Sequence, residues 1–85
     1  MVERTFIVQL QHGLQARIAT QFVQKASSFN SDINLMKNGR SINVKSIMGI
    51  MALAIRRGEE VTLFADGNDE QQAAIDLEKF LLNQE

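Results

Sequence analysis

The stretch Gln11 to Thr20 reads Q-H-G-L-Q-A-R-I-A-T, a glycine turn running into an alanine-rich helix with one arginine near its start. The first turn of a helix carries N–H groups without intrahelical partners and the positive end of the dipole, so such a mouth can hold a phosphate or a carboxylate. Arg17 adds a guanidinium able to meet an anion through two parallel hydrogen bonds, unless it is simply a solvated arginine. A nucleophile at the mouth would make it a group-transfer centre. The residue there is Gln15, whose amide lone pair is delocalised into its carbonyl, so it forms hydrogen bonds and attacks nothing. His12, the sole histidine, is the alternative phosphoryl acceptor. It precedes Gly13 in the turn, which predicts an exposed loop residue outside the ring of helix N–H donors. One histidine and no cysteine cannot build a metal site, and no thiol chemistry is available.

A second stretch, K-S-I-M-G-I-M at Lys45–Met51, places Ser46 immediately before an apolar run. Serine is among the best N-cap residues, and capping alone would account for it. Ile47, Met48 and Met51 cannot all face inward on a short helix. Either both methionines fill the core or they leave an apolar patch of the adaptable kind that docks on differing partners.

The elements that must position these residues follow from periodicity. Alternation over 5–10 predicts a strand burying Phe6, Val8 and Leu10. From Ala16 to about Ser28 the apolar residues Ala16, Ala19, Phe22, Val23 and Ala26 recur at helical spacing. Ile33 and Leu35, then Ile42 and Val44, alternate on either side of Asn38-Gly39, a strong hairpin signal. Ser46 opens a second helix predicted to stop near Arg57-Gly58. Val61, Leu63 and Ala65 mark a last strand, Asp66-Gly67 turns, and Asn68 or Asp69 caps a helix with apolar residues at Ala73, Ala74, Leu77, Phe80 and Leu81. The order β-α-β-β-α-β-α implies an α+β domain, one sheet covered on one face.

An 85-residue chain has room for one core, hence a single domain over residues 1–85, and 45% hydrophobic with 22% charged residues is ordinary globular usage. No secretory signal pattern or membrane-length apolar run is present, so the expected location is the cytoplasm, without membrane contact. The formal charge of −1 conceals a split: eight Lys/Arg against two acids in 1–57, and one lysine against eight acids in the remainder. That asymmetry favours an acidic partner or a phosphate on one side, unless both faces are merely solvated.

Taken together, G-L-Q-A-R-I-A at 13–19, K-S-I-M-G-I-M at 45–51 and G-E-E-V-T-L-F-A-D-G at 58–67 resemble the HPr family of the bacterial phosphotransferase system over almost the whole chain. In that family the first motif is G-x-H-A-R-P-A, and its histidine takes a phosphoryl group from enzyme I. Gln15 stands at the histidine and Ile18 at the proline. With the serine motif of low-GC Gram-positive bacteria, the replacement points to a regulatory paralogue acting in catabolite repression. The resemblance implies an HPr-like open-faced β-sandwich, a four-stranded antiparallel sheet of order 1-4-2-3 with three helices on one face. It also implies phosphorylation of Ser46 by HPr kinase/phosphorylase, and a corepressor role with catabolite control protein A. Gln15, Arg17, Ile47, Met48 and Met51 are then the partner-binding residues, with no catalysis, cofactor or direct nucleic-acid binding. Lys45, next to Ser46, would screen the added charge.

Two other classes compete with this reading. A phosphocarrier would require His12 to substitute for the missing histidine. An RNA-binding module shares the β-α-β-β-α-β order, but there is no Trp or Tyr and the phenylalanines are dispersed along the chain, unlike the aromatic run of such modules. The expected state is a monomer. Exchange of the first strand between two chains stays open, because Gln11-His12-Gly13 joins it to the rest without a proline.

Overall fold

The computed structural model describes residues 1–84. Strand β1 (Val2–Ile7), helix α1 (Ala16–Ser27), strands β2 (Asp32–Lys37) and β3 (Arg40–Asn43), helix α2 (Ile47–Leu53), strand β4 (Glu60–Asp66) and helix α3 (Glu70–Leu81) follow in the predicted order. The strands form one antiparallel sheet, β1-β4-β2-β3, with the three helices on one face. Inward side chains of adjacent strands stand opposite one another, Ile33 against Ala65 and Leu35 against both Leu63 and Ile42. Onto this layer α1 brings Ala19, Phe22 and Ala26, and α3 brings Ala73, Ala74, Leu77 and Leu81, all buried. The Phe22 and Phe80 rings meet between the two helices, their centroids 5.5 Å apart and tilted by 51°.

Three local expectations are corrected. The first strand lies earlier than 5–10, because its ladder with β4 runs from Val2 opposite Ala65 to Ile7 opposite Glu60. Val8 still bonds to Glu59 O and Gly58 N, but the Gln9 N–H turns to Leu81 O, which takes the chain off the sheet. The buried face is as read, with Val8 enclosed and Phe6 and Leu10 packed partly against the core.

Helix α2 stops at Leu53, not near Gly58. Ala54 adopts a left-handed conformation as its C-cap, and the Lys37 ammonium takes the carbonyls of Leu53 at 3.0 Å and Ala54 at 2.9 Å. A cation on the free carbonyls at the negative end of a helix is a favourable terminator. Lys37 is also paired with Glu59 Oε1 at 2.9 Å, and the same oxygen accepts the Arg56 N–H at 2.7 Å.

Asp69 occupies the N-cap position of α3, yet its side chain makes no capping bond. Its carboxylate instead accepts the N–H groups of Asn30 at 2.8 Å and Ser31 at 2.9 Å and the Ser31 hydroxyl, fastening the α1–β2 connection to the start of α3. The Gly67 N–H is met by Glu70 Oε1 at 3.1 Å.

These bonds hold three carboxyls below their usual range. Glu59 is lowered first by the Lys37 hydrogen bond, Asp69 first by the Ser31 hydroxyl, and Glu70 first by the Gly67 N–H. A carboxyl lowered in the folded state binds fewer protons there than in the unfolded chain. Its contribution is complete above the unfolded value and is lost as pH falls through the folded one. Stability should therefore decline as pH drops below about 4.5, the ordinary glutamate value. Urea midpoints at neutral pH and near pH 3 check this, with a shallower decline expected in Asp69→Asn. Equal midpoints at both pH values would contradict it.

Candidate docking and phosphorylation face

Gly13 sets the mouth of α1. Its φ of +67° closes a turn in which its N–H reaches Leu10 O at 3.1 Å, leaving His12 exposed at the tip. A Cβ on Gly13 would lie 2.4 Å from Ile55 O and 2.8 Å from Arg56 Cα. The next N–H, of Leu14, bonds to that Ile55 oxygen at 3.0 Å, so the approach to α1 is laid against residues 55–56. Gln15 follows as N-cap, extended, exposed and without a side-chain capping bond. The first intrahelical bond is Ala19 N to Gln15 O, 2.7 Å. The N–H groups of Ala16, Arg17 and Ile18 precede it, at the positive end of the helix. Arg17 is exposed, and among the described residues its guanidinium has no ion-pair partner.

At α2 the expected cap is present. The Ser46 Oγ accepts the Gly49 N–H at 3.2 Å from an extended backbone, and its residue is solvent-exposed. Of the apolar residues that follow, Ile50 and Leu53 enter the core. Ile47, Met48 and Met51 are 38%, 78% and 43% exposed, so neither methionine is a core filler. Lys45, next to Ser46, donates its ammonium to Phe29 O at 2.8 Å.

The start of α1 and the end of α2 border a cleft of about 520 Å³, lined by Gln11, His12, Leu14, Gln15, Met51, Ala54 and residues 55–57. It gathers Gln15, His12 and Met51, while Ser46, Arg17, Ile47 and Met48 lie outside its lining. Arg56 and Arg57 count toward the basic half of the sequence, but no motif assigns them to a site. Neither Lys37 nor Glu59 stands out in the sequence as the clamp on this segment, and no spacing signals it, since the two meet only through the β2–β4 pairing. Among the described residues no group of three or more His, Cys, Asp or Glu could hold a metal ion.

The sequence model of the PTS HPr component phosphorylation site matches residues 2–83. The chain belongs to the HPr family. Within the family it is 55% identical over 73 residues to the HPr-like protein Crh of Bacillus subtilis strain 168, covering 86% of each chain. Among solved structures, the phosphocarrier protein HPr from Bacillus anthracis superposes with a TM-score of 0.92 at 44% identity, over 94% of this chain and 95% of that one. The crystal structure of Bacillus subtilis Crh gives 0.80 at 49% identity, over 99% and 97%, and is described as a swapped, intertwined dimer. The HPr fold thus carries, in this chain, an amide at position 15 and an exposed, helix-capping serine at position 46.

Proposed function

We propose that this HPr-like, Crh-like chain is a non-catalytic regulator of carbon catabolite repression, switched by phosphorylation of Ser46 by HPr kinase/phosphorylase and then acting as corepressor of catabolite control protein A. The observation that supports the reading best is the exposed Ser46 hydroxyl at the start of α2 beside three exposed apolar side chains, Ile47, Met48 and Met51. Phosphorylation there adds about −1.5 to −2 charges at the positive end of a helix, where N–H groups and the dipole oppose no anion. The Gly49 N–H, now on Oγ, can pass to a phosphoryl oxygen. The domain stays folded, and the new oxygens stand beside the apolar patch as a composite surface. Gln15 removes the competing transfer chemistry, and Arg17 supplies a charged contact from the other helix.

The test is incubation with the kinase and ATP. Label is expected on Ser46 alone and none on Ser46→Ala, although Ser27, Ser28, Ser31 and Ser41 are present. Titration against the repressor then checks the surface. Binding should require the phosphate and weaken by about 2 kcal/mol in Arg17→Ala or Met48→Ala. Equal binding by the unmodified protein would defeat the reading.

The oligomeric state is part of the proposal. Strand β1 lies at a sheet edge, held by a six-pair ladder to β4. The same ladder formed with a second copy's β4 would give the kind of swapped dimer described for Bacillus subtilis Crh. The monomer is proposed to be the other member of that equilibrium.

A further inference from the structure

We propose that the open face of the sheet, which the helices leave bare, is a docking surface for a basic segment of a protein partner, one that seats an apolar side chain on Phe64 and Met36 and its Lys or Arg residues against the carboxylates around them. The proposal goes beyond the Ser46 reading, because it requires neither a phosphate nor the helix side of the domain.

The strand registers decide which residues share this face. Val61, Leu63 and Ala65 of β4 are buried in the core, so Glu60, Thr62, Phe64 and Asp66 point the other way. Their ladder neighbours point with them: Thr5 and Met36 beside Thr62, Glu3 and Asn34 beside Phe64, Asp32 beside Asp66, and Ile7 beside Glu60. The hydroxyls of Thr5 and Thr62 meet at 3.0 Å, as that alignment requires. The centre of the face is apolar. Phe64 and Met36 are half-buried at diagonal positions of the β2–β4 ladder, and Ile7 is 39% exposed on the edge strand. Beside Met36 lies a hollow of about 420 Å³, bounded by Glu60 and Thr62 and by the 37–39 turn. One side chain of a docked segment can enter it.

Charge selects the occupant. Glu3, Asp32, Glu60 and Asp66 are all exposed on this face, and no Lys or Arg of the four strands stands among them. Arg4 meets Glu78 of α3 at 3.4 Å, Lys37 is drawn to the end of α2, and Arg40 pairs with Lys37 on that same side of the sheet. Of the four carboxylates only Asp66 has an ion-pair partner among the described residues, the N-terminal ammonium at 3.8 Å. Asp32 and Asp66 are moreover direct cross-strand neighbours, and like charges so placed destabilise a sheet. A cation lying across the two strands relieves that repulsion. An apolar centre rimmed by charge of one sign has the anatomy of a protein interface, and its complement is a basic segment with an apolar anchor. A second copy docking by the same face would oppose carboxylates to carboxylates. Nucleic acids and anionic membranes are repelled for the same reason.

The test uses the unmodified full chain at low salt and three probes: a short Arg/Phe peptide, its Gln/Phe counterpart, and spermidine as a cation without an apolar anchor. Amide NMR shifts are followed for each. The Arg peptide is expected to move the signals of residues 3–7, 32–36 and 60–66 and to spare those of 46–51, and the Gln peptide to bind about tenfold more weakly. Asp32→Asn with Asp66→Asn should weaken the Arg peptide by a similar factor while the urea midpoint holds or rises, because the like-charge pair is gone; a merely structural role would lower it. Spermidine binding as tightly as the peptide would reduce the face to a small-cation site and overturn the proposal, as would equal binding of the Arg and Gln peptides or shifts confined to the helices. Self-association that the double variant abolishes would assign the face to a second copy and overturn it too. Because no kinase or repressor is present, these outcomes are independent of the fate of the Ser46 reading.

Discussion

Gln15→His is expected to convert a chain that takes no phosphoryl group from enzyme I and phosphoenolpyruvate into one that does. The wild-type half of the expectation is chemical, because a carboxamide nitrogen cannot attack phosphorus. The gain rests on geometry. The Gln15 side chain is exposed and makes no capping bond, so an imidazole can replace it without breaking a contact, and the Ala16 and Arg17 N–H groups and the Arg17 guanidinium belong to the same helix start. Ile18 lies in the first helical turn, where its N–H has no intrahelical partner. Proline there would sacrifice no helix bond and would fix φ near the helical value. The double variant with Ile18→Pro should accept phosphate roughly tenfold faster than Gln15→His alone, given that misplacement by about 1 Å can cost on the order of 100-fold. Acid-labile phosphate on each protein is the measurement. Its appearance on the wild type, and loss in His12→Ala, would make the chain a carrier through His12. Two inert variants would show that the mouth no longer has transfer geometry.

Gly13→Ala is expected to be among the most damaging single substitutions outside the hydrophobic core. A left-handed backbone costs a residue with a Cβ about 1–2 kcal/mol. Here the Cβ would also press on Ile55 O at 2.4 Å and Arg56 Cα at 2.8 Å, which are backbone and cannot swing aside. Overpacking of that kind adds roughly 1–3 kcal/mol, so the total is about 2–5 kcal/mol. That is a large share of the stability of a small domain. Gly39→Ala is the matched control, because Gly39 has a φ of +79° but an added Cβ would meet nothing within 4 Å, leaving only the backbone cost. Urea denaturation with an unchanged slope gives both values. If Gly13→Ala cost no more than Gly39→Ala, the contact with residues 55–56 would not be what seats the α1 mouth.

Much of this protein is decided by residues close in sequence. The 3.6-residue spacing of Ala19, Phe22 and Ala26 and the alternation of Val61, Leu63 and Ala65 state which faces are buried, and the structure buries them. Asn38 and Gly39 adopt φ of 52° and 79°, as their turn chemistry requires, with Lys37 paired opposite Arg40. The cap at Ser46 is likewise local, since Oγ and the Gly49 N–H are three residues apart. The family motifs carried the sheet order 1-4-2-3, which periodicity alone could not supply, because alternation says which face is buried and not which strand lies beside which.

Where a polar group finds its partner far along the chain, only the tertiary structure decides. Asp69 has the residue type of an N-cap, but folding delivers the N–H groups of Asn30 and Ser31, 39 and 38 residues away, and two backbone donors plus a hydroxyl outweigh one capping bond. Helix α2 could run on to Gly58 by local pattern alone, but the sheet brings Lys37, 16 residues before Leu53, to its last carbonyls. The same chain reversal carries Arg56 and Arg57 against the Gln15 turn, although helix α1 and the β2–β3 hairpin separate them in sequence. Short-range pattern determines the elements and their buried faces, whereas side chains that bridge elements choose among competing partners that exist only once the sheet is assembled.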